Sequence, residues 1–190
     1  MFKIRRTEIR GFVELQPIVR TDVRGSFVKT FHDDVFREND LETDFREQYY
    51  SVSTGGVLRG LHFQLPPRDH AKLVFCPVGE IMDVAVDLRA DSPTFGRYDV
   101  IRVSAEQGNE AYVARGLAHG FYVLSIRAIV VYNVTSTYDP EHDAGVRWDS
   151  VGIPWPSPAP TLSDRDKTLP TFAEFDSPFR LGSREAGGAA

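Results

Sequence analysis

The stretch Lys72–Asp87, KLVFCPVGEIMDVAVD, decides the fold. Two runs rich in β-branched and apolar residues, Lys72–Val78 and Glu80–Asp87, are parted by Gly79 alone, and both read as strands. The pattern repeats outward on either side. Gly11–Leu15, Ser26–Phe31 and Gln48–Ser53 precede it, and Tyr98–Val103, Glu110–Val113, Gly120–Leu124 and Ala128–Thr135 follow, each punctuated by Gly, Pro or Asp. Helix signals are scarce; the clearest spans Asp34–Asn39, with Asp33 or Asp34 placed to cap a turn or two. Short strands without βαβ alternation or internal repeats imply an all-β fold, an antiparallel β-sandwich or jelly roll able to enclose a ligand between its sheets.

A chain of 190 residues is long enough to bury a full core, and one domain is expected over residues 1–180, with a flexible tail at 181–190 that ends in GSREAGGAA. The segment from Ile153 to Pro160, IPWPSPAP, holds too many prolines for a central strand and reads as an ordered surface loop. Residues after Pro170 read as mainly polar and small, and the terminal GSREAGGAA as prone to fray. With 42% hydrophobic and 26% charged residues, the composition is that of an ordinary globular protein. A formal net charge of -5 argues against nucleic acid as partner and toward a small anion held in a local basic pocket. The single cysteine, Cys76, lies in an apolar run, which excludes an intrachain disulfide and suits a reducing compartment. Met1–Arg10 is charged and lacks an apolar core, and no run is long enough to span a bilayer, so no signal peptide, no membrane partner and a cytoplasmic location are expected.

The chemistry concentrates in Gly56–Lys72, GVLRGLHFQLPPRDHAK. Arg59 and Lys72 are anion binders by type. His62, between Leu61 and Phe63, has apolar walls that keep an imidazole neutral and basic near pH 7. Three further clusters stand out. RTDVRGSF offers Arg24 and Phe27 beside a turn made by Asp22 and Gly25. GLAHGFYVL sets His119 between small residues, where Gly116 and Gly120 permit close backbone approach. VVYNVTSTYDP spaces Tyr132 and Tyr138 by an even interval, and a phenol facing an imidazole is an acid and base pair.

Taken in order, GVLRGLHFQ, PP followed by AKLV, VDLRADSPTFG, GLAHGF, the tyrosine pair before DP, and IPWP leading to LSDRD resemble the nucleotide-sugar 3,5-epimerases of deoxysugar biosynthesis, the dTDP-4-dehydrorhamnose 3,5-epimerase family. The match runs from about Asp22 to Pro170. The resemblance implies a cupin-like jelly roll, a homodimer with sites near the shared sheet, a nucleotide-sugar substrate, and neither metal nor organic cofactor. It implies His62 as the base beside a 4-keto group, Asp166 as the carboxylate that orients it, Tyr132 as the acid on the opposite face and Lys72 near the developing oxyanion. Arg24, Arg59 and Arg165 match diphosphate contacts, for which a forked guanidinium is suited. His119 matches a residue lining the sugar, and Tyr138 one that stacks on the base; Phe27 and Asp143 complete the substrate-binding set, Asp143 standing where the family usually has Glu.

Two positions depart from the family pattern. Lys29 stands where Glu is expected, and in the Q-x-N that precedes S-x-S, Gln48 is kept but Tyr50 replaces Asn. A cationic donor in place of an anionic acceptor favours cytosine over thymine, so a CDP-sugar is an alternative to dTDP-4-dehydro-6-deoxy-D-glucose. A mono-epimerase acting at C3 or at C5 alone would share the same residues. A metal-dependent cupin dioxygenase would need the HxH-plus-Glu pattern, which is absent. A catalytically silent sugar-binding module is disfavoured by the joint presence of His62, Tyr132 and Asp166.

Overall fold

The computed structural model describes residues 2–181. Its first half holds β1 (Lys3–Arg6), β2 (Phe12–Gln16), β3 (Val19–Asp22), β4 (Gly25–Val28), the short helix α1 (Asp33–Arg37), β5 (Glu47–Thr54), β6 (Leu58–Gln64), β7 (Lys72–Val78) and β8 (Glu80–Asp87). Then come β9 (Tyr98–Ser104), β10 (Glu110–Val113), β11 (Leu117–Val123), β12 (Arg127–Val134), β13 (Asp143–Gly145), helix α2 (Asp164–Thr168) and a 3-10 turn at Phe172–Glu174. A six-stranded sheet runs β1-β2-β10-β7-β12-β5, and a five-stranded sheet runs β13-β6-β11-β8-β9. β3 and β4 form a separate hairpin, and the strands pair antiparallel throughout. Among the described residues no helix is long and apolar enough to cross a membrane.

The quoted stretch explains why two sheets form. Gly79, at φ +87, sends the chain from β7 in one sheet directly into β8 in the other, where any Cβ would collide with the Arg127 carbonyl. Alternate residues of both strands then face each other across the gap. Val74 and Cys76 meet Ile81, Ala85, Ile101, Phe121, Val130 and Val134 in one apolar core drawn from both sheets. This is the cupin-like jelly roll.

Each outer face is handled differently. Over the five-stranded sheet, Ile153 and Trp155 of the proline-rich loop, with Phe172, Phe175 and Phe179, cover Leu61, Phe63, Val84 and Val86. The chain beyond Pro170 is packed through Phe179, because three phenylalanines find an apolar sheet face there. Of the expected tail only Leu181 lies within the described residues. On the six-stranded sheet, α1 and its flanks set Phe36, Leu41 and Phe45 over Val13, Leu15, Leu73 and Tyr112, whereas Tyr50 and Val52 on edge strand β5 stay exposed.

The VDLRADSPTFG motif is architectural. Asp87, fully buried, accepts from Arg89 Nε at 2.7 Å and Nη2 at 2.8 Å, from Ser92 Oγ at 2.6 Å and from Thr94 Oγ1 at 2.7 Å. These bonds fold the β8–β9 connection into one fixed turn and satisfy a charge that burial alone would exclude.

Candidate active site

Arg59 and His62 are three residues apart on β6, so a regular strand would turn them to opposite faces. Both line the same cavity. The pairing with β11 shows why: His62 lies opposite His119 and Arg59 opposite Phe121, leaving one extra residue on β6. Gly60 absorbs it at φ +132, and a Cβ there would stand 2.6 Å from the Gly120 Cα. Two facing glycines thus create the bulge that aims a cation and an imidazole into one space.

His62 is fixed from behind. Its Nε2 lies 2.6 Å from Asp166 Oδ1, and Asp166 is almost wholly buried at the start of α2. Ser163 caps that helix by accepting the Asp166 amide at 3.1 Å, which sets the direction of the carboxylate. A carboxylate can only accept, so Nε2 carries the hydrogen and Nδ1 keeps the lone pair. Burial lowers the His62 pKa, and Asp166 partly opposes that; the imidazole is neutral at pH 7. Burial also pushes the Asp166 carboxyl upward, but hydrogen bonds from His62, Gly60 and Ser163 outweigh it and hold the group ionised.

The opposite sheet supplies the other half. Lys72, Tyr132 and Tyr49 line the cavity from β7, β12 and β5. Lys72 is buried, donates to the His62 carbonyl at 3.1 Å and has its pKa pulled down to about 8 by desolvation, with Asp83 and Asp143 pulling the other way. Burial raises the Tyr132 pKa far above that of a free phenol, so it is a proton donor at all ordinary pH. His119, from β11, is buried with Nε2 2.8 Å from Asp83 Oδ2, and its ring meets that of Tyr132 edge-on at 6.2 Å.

The cavity has a volume of about 390 Å³. Arg59 is tethered through Nε to Ser53 Oγ at 3.0 Å, and Arg165 pairs with Asp143 at 2.9 Å, near the Tyr138 hydroxyl. The structure therefore brings together His62, Lys72, Tyr132, Arg59, His119, Tyr138, Asp143 and Arg165, with Asp166 directly behind them.

Five expected site residues lie elsewhere. Arg24, Phe27 and Lys29 belong to the β3–β4 hairpin or its exit, where Arg24 pairs with Asp22 at 2.5 Å and Phe27 is exposed; none lines the cavity of its own chain. Gln48 and Tyr50 point away from it, Gln48 bonding Asn133 at 2.6 Å and Tyr50 being 68% exposed. Strand alternation explains the placement. Ser51 lines the cavity and Ser53 is buried beneath Arg59, so the positions two and four residues before Ser51 that share their face are Tyr49 and Glu47. Tyr49 and Glu47 do line it, as does His70, whose pKa burial drives down to about 2, leaving it neutral. The S-x-S spacing was the signal for the first two; nothing in the sequence singled out His70.

With this geometry in place, comparison with known proteins is specific. Residues 6–174 match the dTDP-4-dehydrorhamnose 3,5-epimerase family. The chain is 45% identical over 157 residues to the dTDP-4-dehydrorhamnose 3,5-epimerase of Methanothermobacter thermautotrophicus, covering 82% of this chain and 84% of that one. Its fold is similar, at TM-score 0.88 and 34% identity, to a dTDP-6-deoxy-D-glucose-3,5-epimerase from Legionella pneumophila in complex with dTDP-4-keto-L-rhamnose, over 93% of this chain and 95% of the other. A 3'-monoepimerase from Streptomyces bikiniensis in complex with dTDP-quinovose is also similar, at TM-score 0.83 and 34% identity over 88% and 86% of the two chains.

Proposed function

The chain belongs to the dTDP-4-dehydrorhamnose 3,5-epimerase family, and from that premise we propose that it inverts C3, C5 or both in dTDP-4-dehydro-6-deoxy-D-glucose through an enolate. It is an isomerase of the epimerase class. The observation that carries the mechanism is the division of labour between sheets: His62 enters the cavity from the five-stranded sheet and Tyr132 from the six-stranded one. Inverting a carbon requires proton removal on one face and return on the other, which one side chain cannot easily do alone.

In this reading the neutral His62 Nδ1 takes the proton from the carbon beside the ketone, and the electron pair moves onto the C4 oxygen. Asp166, already accepting from Nε2, stabilises the imidazolium that forms. Lys72, charged and buried below its pKa of about 8, meets the oxyanion, and such a preorganised charge in a dry site is the largest aid to enolate formation. Tyr132 then gives its proton to the opposite face of the carbon, and the imidazolium proton returns to the phenolate through solvent, so nothing is consumed. Arg59 and Arg165 hold the diphosphate at the mouth.

Within one chain neither Tyr50 nor Lys29 reaches the cavity, Tyr50 facing away from it and Lys29 lying at the exit of the β3–β4 hairpin, so any bearing they have on base preference passes to the dimer. What the outlying residues support is a homodimer. Tyr50, Val52 and Val78 expose apolar surface on and beside the six-stranded sheet, and the β3–β4 hairpin presents Val23 and Phe27 to solvent. A second copy packed on that surface would receive Arg24 and Phe27 at its own cavity, giving both residues the substrate role that they cannot play within one chain. The buried Cys76 thiol, raised to about 11 by desolvation, is compatible with a cytoplasmic location.

The decisive experiment is incubation with dTDP-4-dehydro-6-deoxy-D-glucose in D₂O, with NMR locating exchanged and inverted carbons. Wild type should incorporate deuterium at C3, C5 or both. His62→Ala should abolish wash-in, and Tyr132→Phe should keep some exchange while losing inverted product. Full activity in His62→Ala would end the assignment.

A further inference from the structure

Tyr49 sits directly opposite Tyr132 in the β5–β12 ladder. Their rings stack, with centroids 4.8 Å apart and planes 21° from parallel. Tyr132 is bracketed on its other sides by His119 at 6.2 Å and Phe121 at 6.4 Å, both from the facing sheet. Tyr49 is thus the ring that holds Tyr132 from within its own sheet, and it does so at the edge strand, where it lines the cavity and remains 41% exposed.

The outcome of the reaction is sensitive to where that phenol points. The base removes a proton whatever the acid does; whether the carbon is inverted or merely exchanged depends on an O–H held over the opposite face. C3 and C5 both flank the ketone, so a small swing of the phenol also changes which of them it covers. We propose that Tyr49 is a positioning residue that fixes the Tyr132 phenol by cross-strand stacking and so determines how much proton removal ends in inversion, and at which carbon. The proposal rests on the epimerase reading above and adds to it a residue that contacts the acid, not the reacting carbons.

Stacked aromatic pairs favour one orientation by roughly threefold to tenfold, and the test looks for a change of that size. With dTDP-4-dehydro-6-deoxy-D-glucose in D₂O, the ratio of inverted to exchanged product is measured separately at C3 and C5. Tyr49→Ala should keep wash-in, since His62 and Asp166 are untouched, and should lower the ratio about threefold to tenfold at the inverted carbon. Tyr49→Phe, which retains the ring and loses the hydroxyl, should restore the wild-type ratio whatever its overall rate. Retained exchange in each variant doubles as the check that the site is folded. A ratio in Tyr49→Ala within twofold of wild type would overturn the proposal. So would a Tyr49→Phe variant as defective as Tyr49→Ala, because the Tyr49 hydroxyl would then be acting itself. A wild type that exchanges no deuterium overturns the epimerase reading together with this one, whereas normal exchange with an indifferent Tyr49→Ala overturns this one alone.

Discussion

His62 Nε2 and Asp166 Oδ1 stand 2.6 Å apart although 104 residues separate them in the chain. The contact joins the bulged centre of β6 to the first turn of α2, and it sets both the tautomer and the basicity of the imidazole. Asp166→Asn removes the charge that raises the His62 pKa, and the amide no longer enforces one tautomer. Deuterium exchange should fall by about 10² or more, and the acid limb of its pH profile should move to lower pH. An unchanged rate and limb would show that the carboxylate has no part in the chemistry.

Lys72 sets the other edge of the pH range. Burial brings its pKa to about 8, so its ammonium is present at neutrality and lost as pH rises through that value. The exchange rate should therefore rise as His62 becomes neutral and decline above about pH 8. Lys72→Arg keeps a cation that does not titrate in this range; slower or not, it should lose the alkaline limb. A limb that persists in that variant belongs to another group.

How far the sequence carries the site can be judged from β5 and β6. His62, Lys72 and Tyr132 were legible because each lies in a motif whose side-chain type suits its chemistry, Asp166 was legible only through the family resemblance, and the structure gathers all four. The bulge at Gly60 was not legible. It depends on Gly120, 60 residues away, pressing against it, and only the two together let Arg59 and His62 share a face. On β5 alternation divides the segment: Glu47 and Tyr49 line the cavity of their own chain while Gln48 and Tyr50 face the other way, since successive residues of a strand point to opposite faces. Among the strands, β1, β3 and β13 were missed because KIRR, VRTD and DAG carry no apolar alternation and sit at margins where pairing alone defines them. Helix α2 is a single turn too short for periodicity, although Ser163 ahead of Asp166 is a cap signal.

The Asp87 network offers a test of stability separate from chemistry. Asp87→Ala leaves the Arg89 guanidinium buried without its partner, and breaking a buried pair in this way costs about 3–5 kcal/mol. Urea unfolding should show a loss of that order, while the folded variant at low temperature keeps deuterium exchange, because neither residue lines the cavity. A loss below about 1 kcal/mol would mean that water replaces the bonds.

Glu110 on β10 predicts how stability depends on pH. It is fully buried, both carboxyl oxygens lack a hydrogen-bond partner, and desolvation raises its pKa well above the ordinary 4.5. Above that ordinary value the unfolded chain gives up the proton while the folded chain retains it. The folded state then binds more protons, and its stability declines as pH rises, by up to about 1.4 kcal/mol per pH unit until the folded pKa is passed. Glu110→Gln has a side chain of nearly the same shape that cannot titrate, so this component of the slope should vanish. Urea midpoints of the two proteins compared from pH 5 to 8 should draw apart with rising pH, the variant gaining on wild type. Parallel curves would show that Glu110 finds a partner in solution or that water reaches it.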